Sequence, residues 1–270
     1  MAARIDLFCS TYAHFNEQVL AAVRRETFGD DIGQNSWLTA DEFGRFIDWL
    51  QLLPAHHALE VASGSGGPAL CLARRARCRV TGIDVNRSGI ATATRSASAA
   101  RLEDVARFRL VDADAPLPFG AGAFDGLLCI DSMNHFPDRL ATFEEWHRVL
   151  RPGRRAVFTD PVVVTGPVTN DELALRSSIG LFLFVPQGVN EHLIARARLV
   201  LLRQEDVTEN AALVSGRWHD ARQRHREELL RIEGEGRFAG LQQFFATVHR
   251  LTSERRLSRI AYLVERPADQ

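Results

Sequence analysis

The chain of 270 residues contains no lysine: all 33 of its basic residues are arginine. Every mechanism that needs a lysine amine is thereby excluded, including Schiff-base chemistry and the P-loop, whose phosphate cradle requires that side chain. A short-chain dehydrogenase of the usual kind is excluded as well. Its Tyr-x-x-x-Lys pair cannot be built, and Tyr12 and Tyr262 are the only tyrosines. Cysteine is scarce: Cys9, Cys71, Cys78 and Cys129 are scattered without a C-x-x-C pair and read as structural or incidental, so no metal site is expected. No apolar run approaches the ~20 residues that span a bilayer. Met1-Ala2-Ala3-Arg4 leads into a mixed segment unlike a secretory signal, which makes the cytoplasm the expected compartment. A net charge of −1 and a pI near 6.8 do not suggest a nucleic-acid surface.

What remains is an ordinary globular composition, 46% hydrophobic and 25% charged, in a chain long enough to bury a sizeable core. From Ala58 onward, apolar runs alternate with helical patterns: strand 58–62, helix 67–76, strand 79–84, helix 88–101, strands 107–111 and 124–130, helix 138–150, strand 155–160. Such alternation predicts a mostly parallel, doubly wound α/β sheet with helices on both faces. Before it, residues 10–27 read as helix, and Thr39-Ala40-Asp41-Glu42 reads as a capping box opening a helix with Phe43, Phe46, Ile47 and Leu50 on one face. After Pro161 a strongly apolar, helix-like piece around Ile179–Val185 suggests a lid. Strands at 200–208 and 257–265 then flank two helices striped by Trp218, Ala221, His225, Leu229, Ile232 and by Phe238, Leu241, Phe245, Val248, Leu251. Arg222, Arg224 and Arg226 on the opposite faces read as solvated surface. The expected division is an N-terminal helical cap (1–57), a Rossmann-like core (58–164), a lid insertion (165–199) and C-terminal strands and helices completing the core (200–270).

The most informative stretch is Leu59-Glu60-Val61-Ala62-Ser63-Gly64-Ser65-Gly66-Gly67-Pro68-Ala69, an apolar strand running into a glycine-rich turn, with Asp84 ending the next strand. Backbone that passes close to a ligand needs small residues, and a helix starting there aims N–H groups at it. An acid at the next strand end can accept hydrogen bonds from ribose hydroxyls. Gly64-x-Gly66-x-x-Ala69 with Asp84 also fits a dinucleotide fingerprint, so this stretch alone leaves two enzyme classes open.

Further runs follow in order: Val80-Thr81-Gly82-Ile83-Asp84-Val85; Val111-Asp112-Ala113-Asp114-Ala115-Pro116-Leu117-Pro118-Phe119; Phe124-Asp125-Gly126-Leu127-Leu128-Cys129-Ile130-Asp131; and Leu150-Arg151-Pro152-Gly153. With these in register, residues 58–161 resemble the class I S-adenosylmethionine-dependent methyltransferases. The resemblance implies a Rossmann-like, mostly parallel seven-stranded sheet with N-terminal helices and a helical lid, and S-adenosylmethionine as cofactor. It implies a cofactor site drawn from Glu60, Ala62, Ser63, Gly64, Gly66, Asp84, Val85, Asp112, Ala113 and Ile130. In it Asp84 would hold the ribose hydroxyls and Asp112 would lie beside the adenine amine. Glu60 precedes the turn closely enough to meet the methionine ammonium. Two positions depart from the family pattern. Glu60 replaces the commoner aspartate, and Ala62 stands where the first glycine usually lies, which suits a negative φ.

Because the sulfonium methyl is already activated, the protein has mainly to align a nucleophile and exclude water. An acceptor hydroxyl or protonated amine would need a base, and His135, after the fourth strand, is the first candidate. His14, His56 and His57 have weaker claims, the last two as exposed loop. Trp37, Asp131, His135 and Phe182 are the candidate substrate contacts. The runs Cys129–His135 and Val157–Pro161 are similar to those of sarcosine and dimethylglycine methyltransferases. The expectation is N- or O-methylation of a small metabolite by a monomer or homodimer, with no nucleic-acid or membrane partner. A nicotinamide-dependent oxidoreductase and a non-catalytic S-adenosylmethionine-binding protein are the competing readings.

Overall fold

Alternating side chains along the strands build two apolar layers. In β1 (His57–Val61), Leu59 and Val61 enter one cluster and Ala58 the other. In β5 (Leu150–Val164), Ala156 and Phe158 oppose Val157, and in β8 (Leu257–Glu265), Ile260, Tyr262 and Val264 oppose Ala261 and Leu263. A sheet apolar on both faces must be covered on both. The structure is a computed structural model describing residues 8–114 and 116–268; Met1-Ala2-Ala3-Arg4, Ala115 and the side chain of Cys9 lie outside the described residues.

The strand order is β3 (Ala106–Leu110), β2 (Arg79–Asp84), β1, β4 (Phe124–Cys129), β5, β8, β7 (Val200–Asp206), with β6 (Val185–Pro186) paired to β5. The neighbours from β3 to β5 run parallel, and β8 is antiparallel to β5 and β7. This is the expected Rossmann-like sheet. Helices α6 (Arg139–Val149) and α8 (Val189–Arg196) pack one face through Phe143, Trp146 and Ile194. Helices α3 (Ala40–Leu50), α4 (Gly67–Ala76) and α5 (Arg87–Ala99) pack the other through Phe43, Leu72 and Ala97. Phe158 and Tyr262, paired across β5 and β8, stack with centroids 4.7 Å apart, an arrangement that contributes about 0.5–1.5 kcal/mol beyond burial. A third apolar cluster joins α2 (Gln18–Phe28), α9 (Thr208–Arg224) and α11 (Glu235–Ser253) around Trp37. No helix among the described residues is long and apolar enough to cross a membrane.

Several local expectations change. The helix read at 10–27 is broken into α1 (Phe8–Ala13) and α2, because the Phe15 carbonyl accepts from Arg24 Nη1 at 2.7 Å and the guanidinium lies over the Phe15 ring. Only half of the Thr39 capping box forms: Thr39 Oγ1 accepts from Glu42 N, but the Glu42 carboxylate turns inward to Arg259 and Asn210. The piece around Ile179–Val185 is not helical. Its backbone is held by the turn after β4, with Leu183 N donating to Asn134 O and Leu183 O accepting from Arg139. β5 extends well past 155–160 because β8 pairs along it. His225 interrupts the first C-terminal stripe, so α10 (Arg226–Glu233) follows α9 as a separate helix. Arg222 is buried against Glu233 at 2.6 Å, not solvated. His56 is buried with Nδ1 accepting from Leu53 N, and His57 belongs to β1 with Nε2 2.9 Å from Thr81 Oγ1, so neither is exposed loop.

Candidate active site

The chain leaves β1 toward β2 and β3 on one side and returns to β4 on the other, opening a crevice at the strands' carboxyl ends where doubly wound folds bind ligands. A cavity of about 640 Å³ fills it. Of the residues expected to hold cofactor, Glu60, Ala62, Ser63, Gly64, Asp84, Val85, Asp112, Ala113 and Ile130 line this cavity. Gly66 does not. It is the left-handed N-cap of α4, with φ 80°, packed against Ala93 and Phe108.

The glycine turn is shaped as much by protein as by space for a ligand. A Cβ on Gly64, whose φ is 51°, would lie 2.4 Å from the Tyr12 hydroxyl. One on Gly67 would lie 2.4 Å from the Gly33 carbonyl, so glycine there lets the N-terminal segment rest directly on the start of α4. Ala62 has φ 58°, not the negative value that an alanine accommodates easily. Holding a Cβ-bearing residue in this region costs roughly 1–2 kcal/mol. Asp131, at the end of β4, is also left-handed with φ 52°. Two such residues facing one cavity mark strain at the site.

Electrostatics single out Glu60. It is 2% exposed, and its Oε2 is buried with no hydrogen-bond partner. Burial, reinforced by the nearby Asp84 charge, pushes its carboxyl up to about 8, although a hydrogen bond from the Ala69 backbone pulls the other way. Asp84 is also raised by burial, countered by backbone donors. Its Oδ2 accepts from Gly64 N at 2.8 Å and its Oδ1 from Asn86 N at 2.7 Å, tying the glycine turn to the start of α5. Asp112 is exposed, with Oδ1 accepting from Asp114 N.

His135 and Leu181 also line the cavity, with His135 Nδ1 2.7 Å from Leu181 O. A carbonyl can only accept, so Nδ1 carries a proton, and in the neutral tautomer Nε2 is the basic nitrogen. The ring packs edge-on against Phe8 and Phe182. Asp131 is a structural hub: Oδ2 accepts from Trp37 N at 2.8 Å, and Oδ1 accepts from Thr159 Oγ1 at 2.7 Å and from Arg259 Nε at 2.6 Å. Trp37 and Phe182 do not reach the main cavity but wall a smaller recess adjoining it. Sequence reasoning missed Arg259, Glu42 and Arg176, all buried. For Arg259 a signal existed, a lone charge within the apolar strand Leu257–Val264.

Residues 59–158 match the methyltransferase domain family. Over this segment the chain is similar to class I S-adenosylmethionine-dependent methyltransferases. The chain is 36% identical over 166 residues to methyltransferase GfsG of Streptomyces halstedii, covering 59% of this chain and 58% of that one. It is 27% identical over 213 residues to the glycine/sarcosine/dimethylglycine N-methyltransferase of Actinopolyspora halophila, covering 78% of this chain and 36% of that one. The chain spans about half the length of the curated relatives it matches. In fold, the cyclopropane synthase MmaA2 from Mycobacterium tuberculosis is similar with a TM-score of 0.80 at 16% identity, covering 97% of this chain and 99% of that one. The residues of the methyltransferase domain fit its cofactor chemically. An unpartnered buried carboxyl oxygen at Glu60 leaves a polar atom for a ligand to satisfy, and Ala62, Ser63 and Gly64 of the turn line the same cavity.

Proposed function

We propose that this protein transfers a methyl group from S-adenosylmethionine to a nitrogen or oxygen of a small molecule. The observation that carries the reading is Glu60 Oε2, a buried, unpartnered carboxyl oxygen in a cavity that His135 also lines. When bound, the cofactor supplies an electrophilic methyl on a sulfonium. Glu60 would receive the ammonium of its methionine part, and Asp84, whose oxygens retain lone pairs beyond those used by Gly64 and Asn86, would receive the ribose hydroxyls. Asp112 and Ala113 would border the adenine. The Leu181 carbonyl orients His135 so that Nε2 can take a proton from an acceptor hydroxyl or ammonium, and Phe8 and Phe182 shield the ring from water.

Calorimetric titration with S-adenosylmethionine, S-adenosylhomocysteine and reduced nicotinamide dinucleotide tests the reading. Binding of the two sulfur compounds is expected; nicotinamide binding with no response to them rejects it. In the same titration Asp84→Ala should weaken the sulfur cofactor by about 1–3 kcal/mol, the cost of leaving hydrogen-bond partners unmet. Unchanged affinity would remove Asp84 from the ribose role. His135→Asn should lower turnover by roughly 10²–10⁴-fold, the usual range for a lost general base, while cofactor affinity stays within about twofold. Parent-like rates, measured with labelled methyl donor once an acceptor has been found in a metabolite extract, would reject His135 as the base.

A further inference from the structure

Beside the main cavity a recess of about 40 Å³ opens past Asn35, Ser36 and His135, which border both spaces. Its walls are aromatic, with Trp37, Phe182 and Phe244 among them; the Arg176 guanidinium lines it, as does the Asp131 carboxylate, which Arg259 neutralises. Arg176, the last residue of α7 (Asn170–Arg176), is 1% exposed. Its guanidinium lies 4.7 Å from the Phe182 ring centroid, 5.4 Å from Phe244 and 5.8 Å from Trp37. Aromatic faces stabilise a cation but offer no hydrogen-bond acceptor.

The donors here are unmatched. Arg176 Nη1 and Asn35 Nδ2 are both buried with no hydrogen-bond partner. The carboxylates that balance Arg176 at longer range are committed elsewhere, Asp131 to Arg259 and Asp160 to Arg139. Burial pulls the Arg176 guanidinium down to about 9 even with both aspartates acting to raise it. A buried cation without a contacting acceptor is costly, commonly several kcal/mol, so a recess that keeps one is built to receive acceptor atoms.

We propose that this recess is the acceptor subsite and selects methyl acceptors bearing a carboxylate, whose oxygens engage Arg176 and Asn35 while the aromatic walls cover the adjoining carbon skeleton. The assignment rests on the methyl-transfer reading, because it places the remainder of the acceptor in the cavity beside His135. It makes Arg176 a specificity-determining residue, with no role in proton transfer.

Benzoate and benzamide, which share shape and differ in charge, test it. The protein is titrated with each, with and without S-adenosylhomocysteine, following Trp37 and Trp218 fluorescence at the recess. Benzoate should bind at least about tenfold more tightly, the discrimination one charged hydrogen bond provides. Arg176→Met should bring the ratio to about one, with S-adenosylhomocysteine affinity within about twofold of parent. Equal binding of the two probes to the parent protein, or a preference that survives Arg176→Met, overturns the proposal. The parent ratio decides even where the methionine variant fails to fold, and Arg176→Lys, which keeps charge but loses the planar fork, should fall between. Failure of S-adenosylhomocysteine to bind would overturn the methyl-transfer reading separately, since the benzoate preference is read in its absence too.

Discussion

Glu60→Gln should bind S-adenosylmethionine at least about 100-fold more weakly than the parent and yet, free of ligand at pH 8, melt at a higher temperature. Both effects arise from one buried carboxyl. Loss of a buried charged partner for an ammonium removes about 3–5 kcal/mol, which is more than 100-fold in affinity. The stability effect has the opposite sign. Glu60 is raised by burial, and by Asp84, to about 8 from an ordinary 4.5. The folded protein therefore holds this proton more tightly than the unfolded chain does, and stability falls as pH rises between about 4.5 and 8. Glutamine keeps the shape and does not titrate. The variant should gain about 1–3 kcal/mol at pH 8 and nothing near pH 4.5, a shift on the order of 2–10 °C for a domain of this size. Calorimetric melting at pH 5 and pH 8 reads it, and identical differences at the two pH values would remove Glu60 as the cause.

The same carboxyl couples cofactor binding to protons. An ammonium favours the ionised form, so below pH 8 binding must expel the proton, and affinity should rise by up to about tenfold per pH unit until the ligand's own amine, with a pKa near 8, begins to lose its charge. Titration at pH 7 in buffers of different ionisation enthalpy should show close to one proton released by the parent and none by Glu60→Gln.

What was legible in the chain was what local pattern specifies. Strands buried on both faces announce themselves as apolar runs, and the glycine turn with Asp84 lies within one βαβ unit, so the sheet and the cavity-lining residues from Glu60 to Ile130 could be read directly. Illegible features depend on partners distant in sequence. Glu42 has the spacing of a capping residue, and nothing local reveals that Arg259 on β8 outcompetes the Thr39 amide for its carboxylate. The positive φ of Ala62 likewise has no local signal, and it opens a turn whose Gly64 and Gly67 are overlaid by Tyr12 and Gly33. His135 could be placed at a strand end from sequence, but its tautomer is set by the Leu181 carbonyl, 46 residues away. The recess around Arg176 is assembled from seven separate segments, and an arginine closing a short helix gives no sign of burial.

Arg259→Met should destabilise the protein by about 3–5 kcal/mol, the cost of removing one partner from a buried ion pair, lowering the melting temperature by on the order of 10 °C. Arg259 is fully buried, with Nη1 2.6 Å from Glu42 Oε2 and Nε 2.6 Å from Asp131 Oδ1. Burial works against its charge, but the two carboxylates outweigh it and raise the guanidinium above its ordinary value. Methionine leaves both acids without their cation. Asp131 keeps Trp37 N and Thr159 Oγ1, whereas Glu42 keeps only Asn210 Nδ2. Adding Glu42→Gln should therefore recover at least about half of the loss, because an uncharged amide needs no counter-ion. Urea denaturation of both variants decides the matter, and a single variant within 1 kcal/mol of parent would show that the pairings carry little weight. The network also has a functional consequence. It pins the strained Asp131 backbone four residues before His135, so Arg259→Met should slow turnover, even where the protein is fully folded, more than it weakens S-adenosylmethionine.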